Sequence, residues 1–464
     1  MSPITNKIQL IFCAHNSGHL AYEKEIQAQP PLGLLILAGF IKQEIPEIEV
    51  EVIDGKLLIE DEILTRLDSD FIGLSIWFSN YNNSLSLIGK IKKVRQNSKI
   101  ILGGPHTSYL GRRIIKNNPD VDYIIIGEGE VALASLLKGN SPDKIPGILF
   151  RNGKEIKGIS NNKALFQQID INSIPPPDLK VLYPTYLWQS SPESHAMAAF
   201  PISGIRGCNR KVRCEYCSIP LSGYRIMNPE KYWNKISYLN QEYSIDFFFE
   251  TGDFFSPLFL KELAELNHNL KVAFRIYSYP GILKSRDLPF LKIVGVNTIF
   301  MGVESSLIWE KYFLRKYGKN YSLNSLIDEI EMLGQNDIKV IPSFVLGMHG
   351  EDNESLTKNV DLILQLSKLN NVNEITVSAV LPIPGSLYFE WCIKDENILN
   401  QYNKITNQDL LKTDKIDIYV LSQLFVNKYT KIGYPWLYRT LVELRHKLDP
   451  GMANWGSLPP FNQK

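Results

Sequence analysis

Three cysteines, Cys208, Cys214 and Cys217, fall within ten residues of a chain that has only five, the others being Cys13 and Cys392. The segment reads Gly207-Cys208-Asn209-Arg210-Lys211-Val212-Arg213-Cys214-Glu215-Tyr216-Cys217. Thiolates at close spacing suit iron–sulfur clusters and zinc. A structural zinc site wants four ligands. Here three are near, and the closest histidine in sequence is His195. Three thiolates on a four-iron cube leave one iron open, and an open iron can chelate a small molecule. A zinc site completed by a distant ligand, or three unrelated buried thiols, are the other readings of the same residues.

The surroundings narrow the class of protein. Apolar residues make up 44% of the 464, and 50 basic residues balance 49 acidic ones for a net charge of +1. Nothing in that balance calls for a nucleic acid or an anionic membrane as main partner. Five cysteines make no disulfide framework, and the short apolar run Ile8 to Ala14 carries no signal-peptide pattern. A reducing cytoplasm is therefore expected. So is the absence of a membrane span, because no long uninterrupted apolar stretch exists. No internal repeat or low-complexity tract stands out.

The cysteines need elements to hold them. Residues 1–160 alternate: strands at Ile8–Ala14, Glu49–Ile53, Phe71–Ile76, Ile100–Leu102 and Tyr123–Ile126, and helices at Pro31–Gln43, Ser84–Gln96, near Arg112–Asn117 and at Glu130–Leu137. Such alternation predicts an α/β fold with a parallel, doubly wound, Rossmann-like sheet, whose ligands bind beyond the carboxyl ends of the strands. Those ends carry Ser75-Ile76-Trp77, Gly103-Gly104-Pro105-His106 and Gly127-Glu128-Gly129-Glu130. Residues 161–195, with Pro175-Pro176-Pro177, read as a linker. Residues 196–395 alternate again, with strands at Phe200–Ile205, Asp246–Glu250, Val272–Ser278, Thr298–Gly302, Val340–Leu346 and Glu374–Val380. Helices are expected between them at Pro229–Glu242, Leu258–Asn267, Leu323–Gln335 and Glu354–Leu369. Six β/α units predict a partial barrel with its chemistry at the carboxyl ends, where the cysteine segment falls. Residues 396–464 read as a mostly helical, aromatic-rich cap, or as a wall of the substrate pocket.

At this point the chain resembles the radical S-adenosylmethionine (SAM) superfamily, whose three cysteines lie on the loop after the first strand of a partial (β/α)6 barrel. Tyr216 sits at the aromatic position before the third cysteine. One departure is clear: five residues separate Cys208 from Cys214, where the family usually has three. The resemblance implies a [4Fe–4S] cluster on Cys208, Cys214 and Cys217 with SAM on its open iron. It implies SAM contacts from Gly252 and Asp253 of Thr251-Gly252-Asp253 after the second strand, and from Arg275 and Tyr277 on the third. Glu304 of Gly302-Val303-Glu304-Ser305 belongs to the fourth-strand motif, and Gly347 and Glu351 to the fifth. Leu381-Pro382-Ile383-Pro384-Gly385 resembles the sixth-strand loop.

The first segment resembles the cobalamin-binding domain joined to one class of these enzymes. Pro30-Pro31-Leu32-Gly33-Leu34-Leu35, Val52-Ile53-Asp54, Gly103-Gly104-Pro105-His106 and Asp122–Glu130 carry the likeness. It implies cobalamin contacts from Leu32, Gly33, Ser75, Trp77, Gly103, Gly104, His106, Gly127 and Glu128. The histidine-ligating members carry an Asp-x-His-x-x-Gly motif. Here His15-Asn16-Ser17-Gly18 keeps its second half, with Cys13 in place of the aspartate, so the imidazole lacks its usual orienting carboxylate. His15, Trp77 and His106 all stand as candidates for the lower cobalt face, and His19 lies nearby.

Taken together, the resemblance implies reductive cleavage of SAM to a 5′-deoxyadenosyl radical and methylation of an unactivated carbon from cobalamin. A small-molecule or peptide natural-product substrate and an external one-electron donor of flavodoxin or ferredoxin type would complete the system. A cyclisation, rearrangement or oxidation without methyl transfer is the enzymatic alternative, and a non-catalytic cobalamin or cluster sensor the alternative of another class. A methylthiotransferase would need a second cluster, for which Cys13 and Cys392 are too few and too scattered.

Overall fold

A computed structural model describes residues 4–15, 29–158, 168–185, 199–209, 214–219, 223–266, 269–306, 321–448 and 453–455. Two sheets organise them. The first has eight strands: β1 (Lys7–Cys13), β2 (Glu49–Gly55), β3 (Phe71–Ser75), β4 (Lys99–Gly103), β5 (Tyr123–Ile125), β6 (Ile148–Asn152), β7 (Glu155–Gly158) and β8 (Leu182–Tyr183). Their order in space is β7-β6-β5-β4-β3-β1-β2-β8. β5 through β8 by way of β1 pair in parallel, whereas β6 and β7 run antiparallel at one edge. Leu10, Ile11, Ile72, Leu74, Ile101 and Leu102 are almost fully buried, because helices cover both faces of the central strands. Those helices are α1 (Leu32–Glu44), α2 (Glu60–Arg66), α3 (Tyr81–Val94), α4 (Pro105–Asn117) and α5 (Glu130–Leu137). α4 begins seven residues before the expected Arg112, because Gly104 at φ 102 turns the chain and Pro105 occupies the first helical turn.

The second sheet is all parallel, in the order β17-β16-β15-β14-β13-β12-β9. Its strands are β9 (Phe200–Ile202), β12 (Phe247–Glu250), β13 (Ala273–Ser278), β14 (Val296–Glu304), β15 (Lys339–Leu346), β16 (Ile375–Ala379) and β17 (Ala453–Trp455). A small hairpin of β10 (Ile205–Arg206) and β11 (Arg225–Ile226) stands between β9 and β12. Helices α6 (Pro229–Tyr243), α7 (Pro257–Glu265), α8 (Leu288–Val294), α9 (Leu323–Gly334), α10 (Asn353–Leu366) and α11 (Leu387–Cys392) are interleaved with the strands. The sequence passes over α8, whose seven residues are too few to show a period. The tail supplies α12 (Glu396–Thr406), α13 (Ile418–Tyr429), α14 (Tyr434–Lys447) and then the seventh strand, β17, beside β16. One continuous apolar core takes in the inner faces of these helices and also Ile36, Phe40 and Ala134 of the first segment. No helix among the described residues is long and apolar enough to cross a membrane.

Candidate functional site

The cysteines lie past the first strand of the second sheet, on the loop that the β10–β11 hairpin frames. The chain must pass close to itself here: a Cβ on Gly207, at φ 79, would stand 2.3 Å from the Gly223 carbonyl oxygen. Cys208, Cys214 and Cys217 are each partly buried. Residues 210–213, which carry the long first gap, lie outside the described residues. The second half of the loop is a tight turn in which Cys217 N–H donates to the Cys214 carbonyl at 3.1 Å. Ile219 N–H reaches the Cys217 sulfur at 3.4 Å. Tyr216 packs against the barrel core. Burial first, then the neighbouring charges of Cys214, Asp253 and Glu304, push the Cys217 thiol up to about 12. Metal binding overcomes such a shift by displacing the proton. Among the described residues no three His, Cys, Asp or Glu side chains converge on the point a single metal ion would occupy. Three thiolates without a fourth side-chain donor suit a four-iron cube, which places each thiolate on a different iron and keeps one iron open.

Two carboxylates approach Cys217 from the strand ends. Asp253 follows β12; burial raises it to about 6, opposed by a hydrogen bond from the Gly207 backbone. Beside it, Glu250 is wholly buried and accepts from Gly204 N–H at 2.9 and 3.1 Å and from Gly252 N–H at 2.9 Å. The Gly252 N–H is therefore spent inside the protein. Burial raises Glu250 to about 7. Glu304 ends β14 with φ 65, a left-handed conformation that costs a non-glycine residue about 1–2 kcal/mol. A register shift between Gly302 and Glu304 marks a bulge, a device that re-aims a side chain. Arg275, 2% exposed, sits between the rings of Phe249 and Phe300, its guanidinium 4.6 and 5.3 Å from their centroids. Tyr277, two residues on and so on the same face of β13, lies 5.1 Å from each of the same rings. Gly347, at φ 88, packs under Leu437 of α14. Glu351 turns back into its own loop: it accepts from Gly347 N–H and from Asn359 Nδ2 at 2.8 Å, while Asn359 also holds Ser305 and Ser306. Its carboxyl, raised to about 7 chiefly by burial, braces the loops after β14 and β15. Asn359, mid-helix in α10, gave no signal in the sequence.

In the first sheet the strand order reverses between β1 and β3, so the crevice for a ligand opens beyond those two strands. His15 Nδ1 and Ser79 Oγ meet there at 2.7 Å, with Phe12 edge-on to both His15 and Trp77. Trp77 is 44% exposed. The buried Asn80 ties the two loops, donating to Ser75 and Cys13 carbonyls and accepting from Trp77 N–H. Its place just before α3 was the available clue. Asp54, fully buried, pairs with Lys56 at 3.3 Å. Gly33, at the exposed start of α1 beside the half-buried Leu32, and Gly103 have no atom within 4 Å of where a Cβ would be, which leaves open space for a flat ligand. Gly104 instead packs on the Ile76 backbone at 2.7 Å, and Gly127, at φ 78, donates its N–H to Ser108 Oγ at 3.0 Å.

Two residues of the proposed cobalamin set face elsewhere. His106 is 7% exposed, lies against Tyr81 at 4.8 Å and bonds the Asp414 backbone; burial lowers it to about 4. Asp414 comes from the tail and also accepts from Tyr81, Asn117 and Asn118. Glu128 pairs with Arg206 at 3.3 Å and with Arg225, and takes Ile169 N–H at 3.0 Å. His106 thus ties the first domain to the tail, and Glu128 ties the loop after β5 to the hairpin that follows β9.

Comparison with known proteins agrees with this layout. Residues 27–137 match the B12 binding domain, and residues 202–363 match the radical SAM superfamily. The chain is 24% identical over 399 residues to an uncharacterised methyltransferase of Pyrococcus horikoshii, covering 82% of each. It is 23% identical over 344 residues to the anaerobic magnesium-protoporphyrin IX monomethyl ester cyclase of Cereibacter sphaeroides, covering 70% of this chain and 53% of that one. In fold it resembles the radical SAM methyltransferase TsrM from Kitasatospora setae, with a TM-score of 0.63 at 15% identity over 84% of this chain and 75% of that one. That protein's structures hold cobalamin and a [4Fe-4S] cluster in one case, tryptophan substrate and a SAM analogue in another. Two matched domains in this order, one for cobalamin and one for a cluster with SAM, place the chain in the cobalamin-dependent radical SAM family.

Proposed function

We propose that the chain is a C-methyltransferase that uses all three cofactors on one substrate held between its two sheets. The observation that carries this is the contact of the cysteine loop with the first domain: Arg206 and Arg225, which flank that loop, pair with Glu128, and the Tyr109 hydroxyl donates to the Ser218 carbonyl. When bound, the reduced cluster supplies the electron that cleaves SAM to methionine and a 5′-deoxyadenosyl radical, and cobalamin supplies the methyl group. The protein binds, orients and excludes water. Cys208, Cys214 and Cys217 hold the cluster. Asp253 and Glu304 receive the cationic and hydroxyl groups of SAM beside Cys217. Arg275 and Tyr277, on the aromatic floor formed with Phe249 and Phe300, line the barrel below. Gly33, Gly103, Ser75 and Trp77 border the crevice that would hold cobalamin, and His15 and Trp77 would lie against it.

The methyltransferase relatives favour methylation, and the cyclase relative favours a radical outcome without it. The substrate is a small molecule or a peptide, and the electron comes from an external donor of flavodoxin or ferredoxin type in a reducing cytoplasm. The test is anaerobic reconstitution with iron, sulfide and hydroxocobalamin, then reduction with SAM in the presence of candidate substrates. Deoxyadenosine together with a product heavier by one methylene unit supports the proposal. A product lighter by two hydrogens sinks methyl transfer in favour of oxidative ring closure. No deoxyadenosine at all leaves a sensor.

A further inference from the structure

We infer that the cobalamin-binding domain grips the cysteine loop at both ends and so positions the cluster, rather than merely facing it. The inference rests on the reading that these cysteines hold a cluster. Arg206 stands two residues before Cys208, and Ser218 follows Cys217 directly. Each is held by a different element of the first domain. Arg206 forks between Glu128 at 3.3 Å, in the loop before α5, and Glu130 at 2.5 Å, the first residue of α5. On the other side, the Tyr109 hydroxyl, from the second turn of α4, donates to the Ser218 carbonyl at 2.6 Å. Tyr109 is fixed in turn by close packing: a Cβ on Gly385, in the loop after β16, would stand 2.4 Å from its ring. Two anchors, one on the helix after β4 and one at the start of the helix after β5, thus hold the end points of the loop that carries all three thiolates.

The anchors also belong to the segments that border the cobalamin crevice. Tyr109 lies on the helix that Gly103-Gly104 opens, and Glu128 lies in the loop that Gly127 opens. Whatever cobalamin does to those segments reaches the cysteine loop, and coupling between two ligands is reciprocal. Filling the cobalamin site therefore alters the environment of the cluster, through Tyr109 and Arg206.

The full-length protein tests this. Wild type, Tyr109→Phe and Arg206→Lys are reconstituted with iron and sulfide, with and without hydroxocobalamin. The electron paramagnetic resonance spectrum of the reduced cluster with SAM is recorded alongside deoxyadenosine formation. Tyr109→Phe keeps the ring and its packing on Gly385 and removes only the hydroxyl. Arg206→Lys keeps the charge and removes the fork, on a separate element. In wild type, cobalamin is expected to shift the spectrum. In both variants iron and cobalamin contents hold, the cobalamin-dependent shift disappears and deoxyadenosine formation slows about three- to tenfold, the reach of one hydrogen bond. Wild-type spectra and rates in both variants overturn the inference. A wild type that assembles no four-iron cluster overturns the functional reading beneath it instead.

Discussion

The carboxylate of Glu304 occupies the space that a side chain on Gly302 would need: Oε1 lies 2.7 Å from the position of a Cβ there. The bulge at the end of β14 folds Glu304 back over its own strand, and only glycine two residues earlier leaves room. Gly302→Ala forces the carboxylate aside without left-handed backbone strain, because no positive φ is recorded for Gly302. The protein should keep its fold and lose about tenfold in SAM affinity, roughly 1.4 kcal/mol. Equilibrium dialysis of the reconstituted variant against labelled SAM checks this, and unchanged affinity would remove Glu304 from the SAM site.

Replacing Cys208, Cys214 or Cys217 singly by alanine should abolish the four-iron cluster and SAM cleavage together. Cobalamin content should hold, because the first sheet has its own cores on both faces, built without the cysteine loop. Iron analysis and cobalamin absorbance on the same samples separate the two cofactors. Replacing Cys13 or Cys392, both buried away from solvent, should leave the cluster intact.

Glu351 gives a pH dependence with a definite sign. Burial raises its carboxyl from the ordinary 4.5 to about 7 in the folded protein. Between those values the folded state binds more protons than the unfolded one, so stability is fullest below about 4.5 and falls as pH rises through about 7. Thermal unfolding midpoints measured from pH 5 to 8 should decline, and Glu351→Gln should flatten part of that decline. The variant should also lose about 1–3 kcal/mol at low pH, since an amide cannot accept from both Gly347 N–H and Asn359. A slope unchanged by the substitution would assign the ionisation elsewhere, with Glu250 the next group to examine.

Asp414 should behave as a strap between the tail and the cobalamin-binding domain. Asp414→Ala strips acceptors from Tyr81, Asn117 and Asn118 and leaves a buried phenol hydroxyl without its acceptor. We expect a loss of about 2–4 kcal/mol and faster proteolysis between α12 and α13, with Arg113 still bonded to the Leu410 carbonyl. Limited proteolysis followed by mass measurement reads the cleavage position.

Much of the scaffold is written in the pattern of apolar runs, because strands of a parallel sheet buried on both faces show up as continuous stretches such as Ile100–Leu102 and Ile124–Ile126. The cysteine triad is likewise visible, since its spacing is local. The features that differ from the sequence expectation are of three kinds. The β6–β7 hairpin carried a readable signal, Asn152-Gly153 between two strand-like runs, which the expectation of a purely parallel sheet passed over. Three-residue β17 is too short to show any period. The roles of His106 and Glu128 depend on residues far along the chain, Asp414 and Arg206, that cover them only after folding. A motif identifies a loop, but distant partners decide which of its side chains reach the ligand.

The seventh strand of the barrel sheet bears on how this chain is made. β17 pairs with β16 in register, Ile375 with Ala453 through Val377 with Trp455, yet the whole of α11 to α14 separates them in sequence. At roughly 5–20 residues per second of synthesis, the outer edge of β16 waits several seconds, with its backbone groups unpaired, for the strand that covers it. An uncovered, apolar edge of that kind invites pairing with another chain. Yield of the full-length protein will therefore depend on shielding the nascent barrel, and truncations before Ala453 will aggregate even though every cofactor-binding segment is already present.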